Sequence, residues 1–169
     1  TAQAKGEPAM RFVSILLAAG LAAPSLANQP AALAAADQAA AFRAAGFTRT
    51  AGQWRKCEDP GTAGYSPGSI LQIRDLNDDG LPEAVIAEDS SFCFGATGTG
   101  FDIVSKQANG AWKLIASRTG VPTFLATKGV GGWPDLEIGG PGFCFQVERW
   151  NGRQYVPHRR QYEGRPCRR

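Results

Sequence analysis

The run Asp75-Leu76-Asn77-Asp78-Asp79-Gly80-Leu81-Pro82-Glu83 places oxygen side chains at positions 1, 3, 5 and 9, with glycine at position 6. That spacing turns alternate side chains toward one point, and Gly80 permits the sharp turn it needs. Calcium is a hard cation that takes about 6–8 oxygens, one of them a backbone carbonyl at the seventh position. The expected ligands are therefore Asp75, Asn77, Asp79, Glu83 and the carbonyl of Leu81. Without an ion the same residues make an Asx-rich turn, in which Asp and Asn side chains accept from nearby backbone N–H groups. An EF-hand would need a bidentate glutamate at position 12. Ile86 stands there, and Ile70, Ile73, Val85 and Ile86 read as flanking strands rather than helices.

Other reactive residue types are sparse. His158 is the sole histidine and lies beside Arg159 and Arg160. Ser90, Ser91 and Asp89 would have to reach it to make a triad, so a solvated surface histidine is expected. Asp135 and Glu137 are two apart on an expected strand and share a face. A carboxylate-dependent hydrolase would need such a pair, although turn structure accounts for Asp135 first. The glycine runs at 95–100, 129–132 and 139–142 lack a following Gly-Lys-Ser/Thr, which excludes a phosphate loop. Cys57, Cys93, Cys144 and Cys167 show no Cys-x-x-Cys spacing and no neighbouring histidine, so a zinc site is not expected. An even number of cysteines in an exported chain reads as disulfides.

The elements that must hold these residues follow from the wider pattern. A chain of 169 residues, with 43% hydrophobic and 20% charged residues and net charge +3, suits one globular domain and excludes wholesale disorder. Its 21 glycines and 11 prolines favour many short strands over a helical bundle. Met10-Arg11, the apolar run Phe12 to Ala23 and the small residues of Pro24-Ser25-Leu26-Ala27 read as a signal peptide spanning 10–27, cut after Ala27, with Thr1 to Ala9 upstream of it.

Residues 28–48 read as an Ala-rich helix or spacer stopped by Gly46, and 49–169 as a disulfide-stabilised β domain. Strands are expected near Gln53–Cys57, Ser69–Arg74, Glu83–Ala87, Phe101–Gln107, Trp112–Arg118, Leu136–Ile138, Cys144–Trp150 and Tyr155–Arg159, with Asn109-Gly110 and Asn151-Gly152 as hairpin turns. Three landmarks recur in one order. Leu81-Pro82-Glu83-Ala84-Val85-Ile86 matches Trp133-Pro134-Asp135-Leu136-Glu137-Ile138, Phe92-Cys93-Phe94 matches Phe143-Cys144-Phe145, and each Asn-Gly precedes an aromatic, Trp112 or Tyr155.

The fold is therefore expected to be mainly β: a small antiparallel β-sheet assembly of two related repeat units, propeller-blade-like or a sandwich, with a short N-terminal helix. That meander favours disulfides Cys57–Cys93 and Cys144–Cys167, with Cys93–Cys144 as the rival pairing. Core packing is the expected fate of Phe92, Phe94, Phe143 and Phe145.

The loop and its strand flanks resemble the strand-loop-strand of FG-GAP and VCBS repeat proteins, best from Ser69 to about Leu114 and more loosely in the second copy. The second copy has Lys128-Gly129-Val130-Gly131-Gly132 where the acidic run would stand. The resemblance implies a β-hairpin calcium loop with Asp75, Asn77, Asp79 and Glu83 as side-chain ligands, in a small exported bacterial protein. It carries no enzymatic activity with it. The expected function is a non-catalytic binding or structural domain, periplasmic or secreted, with no membrane span in the mature chain. Its partner would be a protein or an anionic cell-envelope component. Residues 149–169 hold seven arginines (Arg149, Arg153, Arg159, Arg160, Arg165, Arg168 and Arg169), which suits anionic partners other than nucleic acid. A small inhibitor of a secreted hydrolase, a lysozyme or a protease, is the alternative.

Overall fold

The computed structural model describes residues 1–2 and 33–168, and the expected signal peptide lies outside the described residues. The alanine-rich segment forms helix α1, Ala35–Ala44, with Asp37 in its first turn and Arg43 in its last, both complementing the helix dipole. Gly46, at φ 90°, ends it. The Gly46 N–H donates to the Arg43 carbonyl and the Phe47 N–H to the Phe42 carbonyl. This is a Schellman closure, and Phe47 packs edge-on against Phe42 as its apolar contact. Phe42 also stacks on Trp54, with centroids 4.8 Å apart. The segment is a docked helix, not a spacer.

Strands β1 (Thr48–Thr50) and β2 (Gln53–Arg55) form a small hairpin. Then come two antiparallel meanders. The first sheet orders β3 (Ser66–Arg74), β4 (Glu83–Asp89), β5 (Thr99–Lys106) and β6 (Trp112–Thr119), with a one-turn helix α2 (Ser91–Phe94) between β4 and β5. The second orders β7 (Val121–Lys128), β8 (Pro134–Gly139), β9 (Phe145–Trp150), β10 (Tyr155–Tyr162) and the short β11 (Arg165–Pro166). All eight expected strands are present, with boundaries moved by a few residues. Strands β1, β7 and β11 are additional to them. The β7 run Val-Pro-Thr-Phe-Leu-Ala-Thr-Lys lacks alternation and carries Pro122. Proline is tolerated there because β7 is an edge strand.

The two sheets are packed face to face and repeat one another. Asn109-Gly110 joins β5 to β6 and Asn151-Gly152 joins β9 to β10, with Gly110 at φ 82° and Gly152 at φ 97°. Ala84 and Ile86 of β4 face α1, where they meet Phe42, Val104 and Trp112. Val85 and Ala87 of the same strand face the second sheet, with Phe101, Ile103, Trp133, Leu136, Trp150 and Tyr155. Leu136 is the repeat partner of Ala84, so the second sheet presents to the first the face that the first presents to α1. The period-2 alternation of a strand makes this possible.

Candidate functional site

Chemistry-bearing residues are sorted to the two ends of the paired sheets. At one end lies the β3–β4 connection, which contains the acidic run. Asp78 at φ 61° and Gly80 at φ 85° supply its left-handed turns. The Asp75 carboxylate accepts from the Asp79 N–H at 3.2 Å and the Gly80 N–H at 2.7 Å. Asp79 accepts from the Leu81 N–H at 2.8 Å, and the Asn77 amide donates to Asp79 at 2.9 Å. The loop rests on the second sheet: Lys128 pairs with Asp78, and Gly132 is so close to the Asn77 carbonyl that a side chain there would collide with it.

Glu83 opens β4 and is buried. Its Oε2 accepts from the Leu76 N–H at 2.7 Å, while Oε1 is buried without a hydrogen-bond partner. Ser105 stands opposite it in the register, and its hydroxyl, with the Leu76 N–H, favours the ionised carboxylate. Burial pushes the Glu83 carboxyl up, and the charges of Asp79 and Asp75 add to that. The donor set is all oxygen and includes one orphaned buried carboxylate oxygen, which is the type of site a hard cation takes. As the loop stands, no three His, Cys, Asp or Glu side chains among the described residues converge at metal-ligand spacing. Asp75, Asn77, Asp79 and Glu83 are the residues that would hold calcium, with the Leu81 carbonyl.

Asp135, the repeat partner of Glu83, is handled differently. It is fully buried and accepts from Arg149 Nε at 2.8 Å, Arg149 Nη2 at 2.9 Å, Arg159 Nη1 at 2.6 Å and Thr127 Oγ1 at 2.6 Å. Burial opposes its ionisation, yet the bonds from Arg149, Thr127 and Arg159 outweigh it and hold the carboxyl well below the usual carboxylate range. Glu137 accepts from Gln161 at 2.7 Å. A bulge makes this cluster: the register shifts between Pro157 and Arg159, leaving His158 as the extra residue. The inserted residue reverses the alternation, so Arg159 and Gln161 join Asp135, Glu137 and Arg149 on the outer face. His158 itself is exposed. A carboxylate held as Asp135 is neither takes nor gives a proton near neutral pH.

The opposite end gathers the two disulfides, Cys57–Cys93 and Cys144–Cys167, as favoured from the meander. Both Phe-Cys-Phe corners lie here, and Gly140 of the second approaches Thr97 beyond the first. Phe94 covers Gly100, and Phe145 is half-buried. Phe92 and Phe143 are not packed as expected: they are 64% and 72% exposed. Cys144 is turned inward to its bridge, which sends Phe143 outward, whereas Cys93 makes its bridge at the surface beside Phe92. Phe143 meets Tyr162 edge-on at 6.2 Å.

A web of buried acids fixes this end. Glu88 accepts from the Lys56 and Cys57 N–H groups at 3.2 and 2.8 Å and from the Tyr65 hydroxyl at 2.9 Å. Burial and Glu88 together push the Tyr65 phenol up to about 12, so it remains a donor. Asp59 accepts from the Gly61 and Thr62 N–H groups and the Thr62 and Ser90 hydroxyls. Ser90 in turn caps α2 by accepting from the Cys93 N–H, so its hydroxyl serves structure rather than a triad. Arg118 of β6 reaches across to Glu148 of β9 with a fork of bonds at 2.9–3.1 Å. A cavity of about 300 Å³ lies beneath the first bridge, walled by Phe47, Phe94 and Phe101 with Lys56, Asp102 and Arg118. Of these partners only the Asp59-Pro60-Gly61-Thr62 turn had a local sequence signal. The pairs across sheets had none.

The chain matches no family model, and no curated protein or solved structure matches it at a significant level.

Proposed function

We propose that this chain is an exported, non-catalytic binding domain of the FG-GAP/VCBS-like kind, stabilised by calcium at Asp75–Glu83, that holds an anionic component of the cell envelope at its disulfide-clamped end. The observation that carries the reading is the exposure of Phe92 and Phe143 on corners that two disulfides fix at one end. Rigid, exposed aromatics lose little entropy when they are covered by a partner. Arg160, Arg165 and Arg168 stand on the same segment of chain as Tyr162 and Cys167. The disulfides support export, since such bonds persist in oxidising compartments. No helix among the described residues is long and apolar enough to cross a membrane.

The test has two parts. Calcium that binds only the folded state raises stability by RT ln(1 + [L]/Kd). The oxidised protein should melt higher in calcium than in EDTA, and the gain should vanish in Asp75→Ala/Asp79→Ala. No shift at millimolar calcium would leave the loop as a structural turn. Separately, the protein should be retained on immobilised dextran sulfate and released by salt, and flow-through at low salt would refute the anionic partner.

The second reading is an inhibitor of a secreted hydrolase. The Phe143 loop, presented outward by the neighbouring Cys144 bridge, favours it. Recovery of no hydrolase from cell-envelope extract would count against that reading.

A further inference from the structure

We infer that the disulfide-clamped end is a membrane-contact surface, which seats on an anionic lipid bilayer with Phe143 and Phe92 inserted and the C-terminal arginines against the headgroups. This rests on the anionic-partner reading above and names its class.

The first argument is the placement of the apolar tips. Strand β4 runs out at Asp89, paired with Thr99, and β8 runs out at Gly139, paired with Val121. The Gly120 N–H donates to the Thr99 carbonyl, and Gly120 abuts the Gly139 carbonyl, so both corners leave the sheets at the same end. Phe92 on α2 and Phe143 in the β8–β9 connection stand apart there, and each is mostly in water. Phe143 follows Gly142 at φ 94° and precedes buried Cys144 at φ 68°, so the turn and the bridge hold the ring outward. Tyr162, 43% exposed, lies against it. Aromatic rings of this kind favour the boundary between headgroups and acyl chains.

The second argument is charge. Arg160, Arg165 and Arg168 have no ion-pair partner among the described residues, and Glu163 is the acidic residue in the same segment. The first corner carries exposed Glu58 and Asp89, so the second corner is the cationic one and should make the primary contact. Guanidiniums beside an aromatic tip fit phosphate headgroups.

The third is shape. The apolar residues form two separate tips, and a depression beside Phe143 carries the polar side chains of Arg118, Gln146, Glu148 and Arg160. A protein partner would have to match both tips and the depression, whereas a fluid bilayer accepts separated tips with no such match.

The test is co-sedimentation of the oxidised protein with phosphatidylcholine vesicles and with vesicles that also contain phosphatidylglycerol, beside dextran sulfate beads. Binding to the anionic vesicles and not to phosphatidylcholine alone is expected. Phe92→Ala/Phe143→Ala should lower vesicle partition about ten-fold or more and leave the melting temperature unchanged. Arg160→Gln, Arg165→Gln and Arg168→Gln should each lower vesicle partition about five-fold and weaken dextran sulfate binding as well. Binding to dextran sulfate without binding to anionic vesicles would overturn the lipid assignment and leave the anionic-partner reading intact. Vesicle binding indifferent to both phenylalanines would overturn it too. Binding to neither support would overturn both readings.

Discussion

The two repeat-equivalent carboxylates show how one position can be satisfied in two ways. Glu83 keeps one oxygen without a donor, and its ionised form is disfavoured by burial. Its folded pKa is raised, so its contribution to stability is present below the unfolded value of about 4.3 and is lost as pH rises through the folded value. In EDTA at pH 7, Glu83→Gln should therefore stabilise the protein by about 1 kcal/mol. It should also remove the calcium response, and melts across pH 4–8 check both. Asp135 has the opposite sign. Its folded pKa is depressed, so its contribution is present above an unfolded value of about 3.9 and fades as pH falls toward the folded value. Asp135→Asn should cost about 2 kcal/mol at pH 7, because a neutral amide leaves Arg149 and Arg159 without a counter-charge, and that loss should shrink toward pH 2 in urea titrations.

Among the elements, α1 and the C-terminal bridge are the ones whose roles local sequence understates. Helix α1 presents a thin apolar face, mostly alanine, but Phe42 is buried between Phe47 and Trp54 and closes the α1 side of the first sheet. Phe42→Ala should cost about 3–5 kcal/mol, measured by chemical denaturation, where a spacer residue would cost nothing. The Cys144–Cys167 bridge ties the second corner to the end of β10 and β11 across 23 residues. Its removal as Cys144→Ser/Cys167→Ser should cost about 3 kcal/mol on the chain-entropy model. It should also free the Phe143 loop, read as faster amide exchange there. The bridges could be read from the meander because hairpins return the chain to the same end. The helix's docking could not, because alanine helices carry little amphipathic signal.

For the molecule as a whole, the shared inter-sheet core matters most. Val85, Phe101 and Ile103 of the first sheet pack on Leu136 and Trp150 of the second and on Trp133, which leads into β8, so neither sheet can bury its face alone. Tryptophan fluorescence and far-ultraviolet circular dichroism should therefore report one coincident unfolding transition; two separated transitions would mean that the units fold independently. The outer faces are closed differently, by α1 on the first sheet and by the Asp135–Arg149–Arg159 network on the second. Val147, buried yet in neither apolar cluster, is shielded in that outer layer, as long arginine stems allow.

Most of the strands, the hairpin turns, the repeat and the favoured bridge pairing are legible in the chain alone, since alternation, Asn-Gly turns and chain reversal are local properties, whereas β1, β7 and β11 carry no such signal. The place of the acidic run, in a turn between two strands, is legible too. Which side chains meet across the sheets is not legible there, because it depends on how distant strands pack. A bulge at His158 changes which face Arg159 takes, and that choice turns Asp135 from a candidate base into a neutralised anchor. Likewise, a Phe-Cys-Phe triplet reads as apolar in sequence. The inward demand of the Cys144 bridge leaves Phe143 in water, and Phe92 stands exposed beside the surface bridge of Cys93 at the same end of the molecule.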